Sequence, residues 1–129
     1  MGWGPRKNMT EAQIQAACFL WAWNTFPEFR GMFFSIPNGG WRNPAERALQ
    51  MATGLVPGVW DMILFGPGGL VTFVEFKVPG GRLSKEQEQF RAAVGTRARW
   101  EVITDLESWQ SLFCRTYNIQ KNILNDLEK

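Results

Sequence analysis

The stretch VWDMILFGPGGLVTFVEFK, residues 59–77, decides the fold. Two apolar runs, 59–65 and 70–78, flank Gly66, Pro67, Gly68 and Gly69, a sequence made for a reversal of the chain. This pattern predicts a β-hairpin. Side chains alternate across a strand, so Val71, Phe73, Glu75 and Lys77 share one face while Thr72, Val74, Phe76 and Val78 take the other. If the hairpin closes with Gly66 opposite Leu70, the antiparallel register sets Asp61 across from Glu75, with Cβ atoms about 5 Å apart. Two carboxylates and one ammonium then converge on a single patch.

Such a patch needs a counter-charge. Two acids and one lysine remain net negative, and an uncompensated buried charge costs several kcal/mol. A divalent cation would balance it, and the donors on offer are the carboxylates of Asp61 and Glu75 with the carbonyl of Phe76. These are hard oxygen ligands of the kind magnesium (Mg2+) prefers. The chemistry that suits a hard ion beside a lysine is phosphodiester hydrolysis, with Lys77 orienting the attacking water or stabilising charge on the phosphate.

Working outward, Thr10 and Gln13 form a capping-box pattern, and Ile14, Ala17, Cys18 and Trp21 continue at helical spacing to about Phe26. Phe19, Leu20 and Trp23 spread around the other sides, more apolar surface than one core face requires, which points to contact with a second subunit. Residues 31–36 read as a short strand stopped by Pro37, Asn38, Gly39 and Gly40. Asn43 as N-cap, Pro44 at the first helical position and Glu46 announce a helix to about Ala52. Ser84 with Gln87 repeats the capping box and opens a helix to Val94, stopped by Gly95. Residues 100–104 read as a strand, and Thr104 or Asp105 caps a last helix carrying Leu106, Trp109, Leu112 and Phe113. The predicted order is α-β-α-β-β-α-β-α, an α/β fold with a mixed sheet flanked by helices. Residues 1–9 read as a flexible N-terminal arm, 10–117 as one domain, and 118–129 as a helical tail with Ile119, Ile123, Leu124 and Leu127 at helical spacing.

The composition narrows the chemistry. The chain has 129 residues, 45% hydrophobic and 20% charged, enough for one packed core but not two ordinary domains. It contains no histidine, which excludes Ser-His-Asp triads, Cys-His pairs and histidine-metal nucleases. The two cysteines have neither the spacing nor the partners of a zinc site, and a reduced compartment follows as the expectation. The longest apolar stretch, residues 16–23, falls short of a membrane span, and no secretory signal pattern opens the chain, so a soluble cytoplasmic protein is expected. A net charge of +2 is too mild to demonstrate nucleic-acid binding by itself. The seven tryptophans read as core residues ahead of base-stacking platforms.

The runs PNGGWR (37–42), GLVPGVWD (54–61), VEFK (74–77) and PGGRLSKEQ (79–87) together resemble the VRR-NUC domain, the virus-type replication-repair nuclease branch of the PD-(D/E)XK superfamily. The resemblance spans residues 10–104. It implies a restriction-endonuclease-like core, dependence on Mg2+ or manganese (Mn2+), Asp61 and Glu75 as metal ligands, and Lys77 as the catalytic lysine. It also implies Gln87 as a supporting active-site residue, Glu11 as an acidic contribution from the first helix, and the loop of Asn38 and Gly39 as a DNA contact. Stand-alone members of this length resemble phage-type enzymes acting on branched DNA as homodimers, which implies a Holliday-junction resolvase-like role in DNA repair. A flap, nicking or restriction-type nuclease is the alternative with the same chemistry, and a non-catalytic DNA-binding module is the rival of another class. Two positions depart from the pattern: Trp60 stands where the superfamily has proline, and Ser35-Ile36 precede the PNGG run where a histidine is frequent.

Each motif also has a plain structural reading. Glu75 and Lys77 could form an exposed strand pair worth little, although the apolar Val71 and Phe73 on that face argue otherwise. Asp61 could cap a turn after Pro57-Gly58, Glu11 could complement the positive end of its helix, and Gln87 could merely close its capping box. Arg42, Arg82 and Lys85 flank glycine-rich loops and could hold phosphates, or simply face solvent.

Overall fold

The computed structural model describes residues 9–120. Its elements run α1 (Glu11–Thr25), β1 (Phe33–Ser35), α2 (Pro44–Ala52), β2 (Met62–Phe65), β3 (Val71–Phe76), α3 (Lys85–Val94), β4 (Arg99–Ile103) and α4 (Leu106–Tyr117), the order predicted from sequence. The expected arm falls almost wholly outside the described residues, as does the expected helical tail beyond Gln120. Asn118 ends α4 in the left-handed conformation (φ 55°).

The helix starts are set by local hydrogen bonds. Thr10 and Gln13 exchange side-chain to backbone bonds at α1, and Ser84 and Gln87 do the same at α3. Asn43 accepts from the Glu46 amide, and Asp105 rather than Thr104 caps α4 by accepting from the Ser108 amide. Each such bond satisfies a helix-end donor that otherwise has no partner.

The sheet order is β1-β2-β3-β4. β1, β2 and β3 are antiparallel, and β4 lies parallel to β3. A parallel neighbour requires a crossover, which α3 supplies. The hairpin register pairs Met62 with Val74 and Phe65 with Val71, and the Gly66 amide donates to the Leu70 carbonyl at 2.7 Å. Hydrogen-bonded and non-bonded pairs alternate along such a ladder, so Asp61 and Glu75 fall on a non-bonded site, where side chains approach more closely.

One sheet face carries Phe33, Met62, Leu64, Val74, Phe76 and Ile103, all buried against Ile14, Cys18 and Ala22 of α1 and Trp109, Leu112 and Phe113 of α4. The other face carries Phe73 and Trp100, stacked at 5.1 Å and capped by Phe90 of α3. α2 buries none of its residues and stands apart from both layers, with Leu49 66% exposed.

One expectation requires correction. β2 starts at Met62, three residues later than predicted. Strict alternation would send Trp60 to the α1 and α4 side, but its ring instead lies 4.8 Å from Trp100 and its indole N–H donates to the Gln87 carbonyl, so the chain leaves the ladder there. The apolar residues of α1 outside its core face are partly covered within the chain. Phe19 and Trp23 stack on each other and meet Phe33 edge-on, Arg30 lies over Trp23, and Trp21 packs on Phe26 and Phe113. Only Leu20 of the apolar residues read as surplus is left largely in water.

Candidate active site

Asp61 precedes β2, while Glu75 on β3 and Lys77 just beyond it face the same way. Glu75 is only 2% exposed and Lys77 8%, so neither belongs to an ordinary solvated strand face. The Lys77 Nζ lies 3.5 Å from Glu75 Oε2. Both oxygens of Glu75 are held: the Asp61 amide donates to Oε1 at 3.1 Å, and the Gln87 side-chain amide donates to Oε2 at 2.7 Å. Asp61 Oδ2 in turn accepts from the Phe76 amide at 2.8 Å. Phe76, predicted to take part through its carbonyl, therefore also fixes the facing carboxylate through its N–H.

Burial and the neighbouring negative charge of Asp61 push the Glu75 carboxyl up to about 7, against the pull of Lys77. Asp61 is raised mainly by burial, with the Phe76 amide, Glu75 and Lys77 opposing and the charge of Glu11 adding to the rise. Both acids thus resist ionising together, as expected of paired carboxylates that have only one ammonium between them.

Glu11 reaches Asp61 through its field but does not join the pair. It is exposed at the first position of α1, where a negative charge suits the positive end of the helix. Among the described residues no three acidic or thiol side chains gather closely enough to form a metal-holding group. The donor chemistry of Asp61, Glu75 and the Phe76 carbonyl fits a hard divalent cation: all oxygen, net negative, with no competing imidazole or thiolate.

Gln87 closes its capping box and also reaches Glu75: Oε1 accepts from the Ser84 amide while Nε2 donates to Glu75. Asn38 donates to the Val59 carbonyl at 3.2 Å, which ties the PNGG loop to the segment leading into Asp61. Gly39 and Gly40 take positive φ there, open to glycine at no steric cost. Arg42, Arg82 and Lys85 are exposed, and among the described residues none is within ion-pair distance of an acid. Their side chains are available to an external anion.

The sequence reading missed Trp60 and Gly58. Gly58, with φ 83°, lies so close to α3 that a Cβ there would stand 2.2 Å from the Glu86 carbonyl oxygen. The positive φ was implicit in the Pro57-Gly58 turn signal, but the tertiary contact had no local signature.

No family model matches the sequence, and no curated protein matches it either. A solved structure described as a VRR_NUC domain protein superposes with a TM-score of 0.68 at 16% identity, covering 88% of this chain and 93% of that one. The chain therefore has the fold of that VRR_NUC domain protein: a mixed four-stranded sheet flanked by helices, of the restriction-endonuclease-like kind.

Proposed function

We propose that the protein is a metal-dependent nuclease that hydrolyses phosphodiester bonds in DNA. The observation that carries this reading is the half-buried Asp61 facing the buried Glu75 and Lys77, at the place in the sheet where three hydrogen bonds fix the carboxylates. The likeness to a VRR_NUC domain protein supports it. Asp61, Glu75 and the Phe76 carbonyl would hold Mg2+ or Mn2+, which when bound polarises a phosphoryl oxygen and lowers the pKa of a water.

The chain's own groups do the rest. Lys77, held near Glu75 by its ion pair, places a positive charge and N–H donors where a water or a phosphate oxygen meets the carboxylates. Gln87 keeps Glu75 from rotating. Asn38 and the Gly39 backbone, with Arg42, Arg82 and Lys85, offer donors and cations for the sugar-phosphate chain. The substrate we propose is branched DNA such as a four-way junction, with two copies of the chain acting together, since paired cuts across a symmetric junction require two sites.

Labelled four-way, flap and linear duplex DNA incubated with Mg2+, Mn2+ or EDTA tests this. Cutting with either metal and none with EDTA is expected, fastest on the junction. Lys77→Ala should lower the rate roughly 10²–10³-fold while DNA binding persists. Binding without cutting under any metal would leave a non-catalytic DNA-binding module.

A further inference from the structure

Trp60 is fully buried, and a buried indole N–H needs an acceptor. It finds one in the backbone carbonyl of Gln87, at 3.1 Å. A carbonyl oxygen has two lone pairs, so Gln87 can accept this bond and still serve its own helix. The same residue's side-chain amide bonds Glu75 Oε2, and Glu75 Oε1 accepts from the amide of Asp61, the residue covalently next to Trp60. These contacts close a ring that runs from Trp60 to Gln87, from Gln87 to Glu75, from Glu75 to Asp61, and along the chain back to Trp60.

The ring is braced on both sides. Trp60 meets Trp100 edge-to-face at 4.8 Å, and Trp100 stacks on Phe73, two residues before Glu75 on β3. Gly58 allows the preceding backbone to press against the Glu86 carbonyl at the start of α3. A side chain at 58 or a smaller residue at 60 would let the first turn of α3 drift from the sheet, taking the Gln87 amide with it.

We propose that Trp60 is a positioning residue. It pins the first turn of α3 to the segment entering β2, and so holds Glu75 in one orientation through Gln87. The activity part of this proposal rests on the nuclease reading above; the positional part does not.

The test pairs kinetics with NMR of the metal-free protein. In the parent, the Gln87 side-chain amide should be shifted by its bond to a carboxylate. In Trp60→Phe, which keeps an aromatic ring but has no donor, those resonances should move toward values for a free glutamine amide. The turnover number should fall about tenfold, the effect of losing one ordinary hydrogen bond, with KM for DNA within about twofold of the parent. Should the phenylalanine variant fail to fold, β-(3-benzothienyl)alanine at position 60 keeps the bicyclic shape without the N–H and serves the same test. Parental Gln87 resonances in a folded variant would overturn the proposal, whatever the rate, and so would a change confined to KM. If the parent cuts no DNA, the nuclease reading fails while the Gln87 resonances still decide what Trp60 does.

Discussion

α1 and α3 begin with the same device. Thr10 and Gln13 in one, Ser84 and Gln87 in the other, make the same pair of reciprocal bonds, at 2.9 and 3.1 Å in the first and 2.8 and 3.1 Å in the second. At α1 the device ends there, because Gln13 is exposed and, among the described residues, its amide nitrogen meets no acceptor. At α3 the amide nitrogen continues to Glu75 at 2.7 Å, and the backbone carbonyl of the same residue receives the Trp60 indole. A local motif can therefore start a helix in either place, but only where the fold brings a carboxylate within reach does the motif become part of a site.

The largest expected effect removes the acceptor that distinguishes the two. Glu75→Gln should cut DNA at least 10³-fold more slowly, because an uncharged amide is a poor ligand for a hard cation. The metal-free protein should respond in the opposite sense. The folded protein holds the Glu75 proton up to about 7, above the ordinary carboxyl value of 4.5, so it binds more protons than the unfolded chain between those values. Stability of the metal-free parent should thus decline as pH rises from about 4.5 to about 7, then level off. Glu75→Gln should flatten that decline and be the more stable protein at pH 8, by on the order of 2 kcal/mol. Thermal melts across pH in EDTA measure both. A parent whose stability rises over that window would show that Glu75 is not held against its charge.

Next in size is the matched pair Gln87→Ala and Gln13→Ala. Each loses one half of a capping box, a cost of about 1 kcal/mol or less. The melting temperature should fall by a few degrees in Gln13→Ala and further in Gln87→Ala, which also loses the buried bond to Glu75. Only Gln87→Ala should slow cutting, by roughly 10–100-fold, the usual effect of losing a group that orients a metal ligand. Equal rates for the two variants would reduce Gln87 to a helix cap.

Much of this site was readable from residues alone, and the limits have physical causes. Period-two alternation together with the glycine-rich turn was enough to set Asp61 across from Glu75, because register within a hairpin is fixed by its turn. Capping boxes were legible for the same reason, each being complete within four residues. Trp60 was not legible. Its partner is 27 residues away across a crossover, and nothing near it announces that the strand is abandoned at that point. Glu11 was legible only in part: its place at the start of α1 follows from the capping box, but its electrostatic reach to Asp61 depends on how α1 packs against the sheet, which no local pattern encodes. The excess aromatic surface of α1 was visible, but its partial cover by Phe33, Phe113 and Arg30 was not, since those residues come from other parts of the chain.

The smallest effects test whether the cap itself carries any of the site's precision. Ser84→Ala and Thr10→Ala each remove a hydroxyl that accepts from a backbone amide at 3.1 Å, and each should cost about 1 kcal/mol. Gln87 keeps its bond to Glu75 in the first variant, but it has lost the bond that holds its N3 amide to the helix start, so its side chain should sample more positions. Cutting by Ser84→Ala should therefore fall only a few-fold, and Thr10→Ala should cut at the parental rate. A Ser84→Ala enzyme as fast as Thr10→Ala would mean that the tertiary contacts of Trp60, Gly58, Phe90 and the Gln87 side chain hold α3 in place without help from the Ser84 hydroxyl.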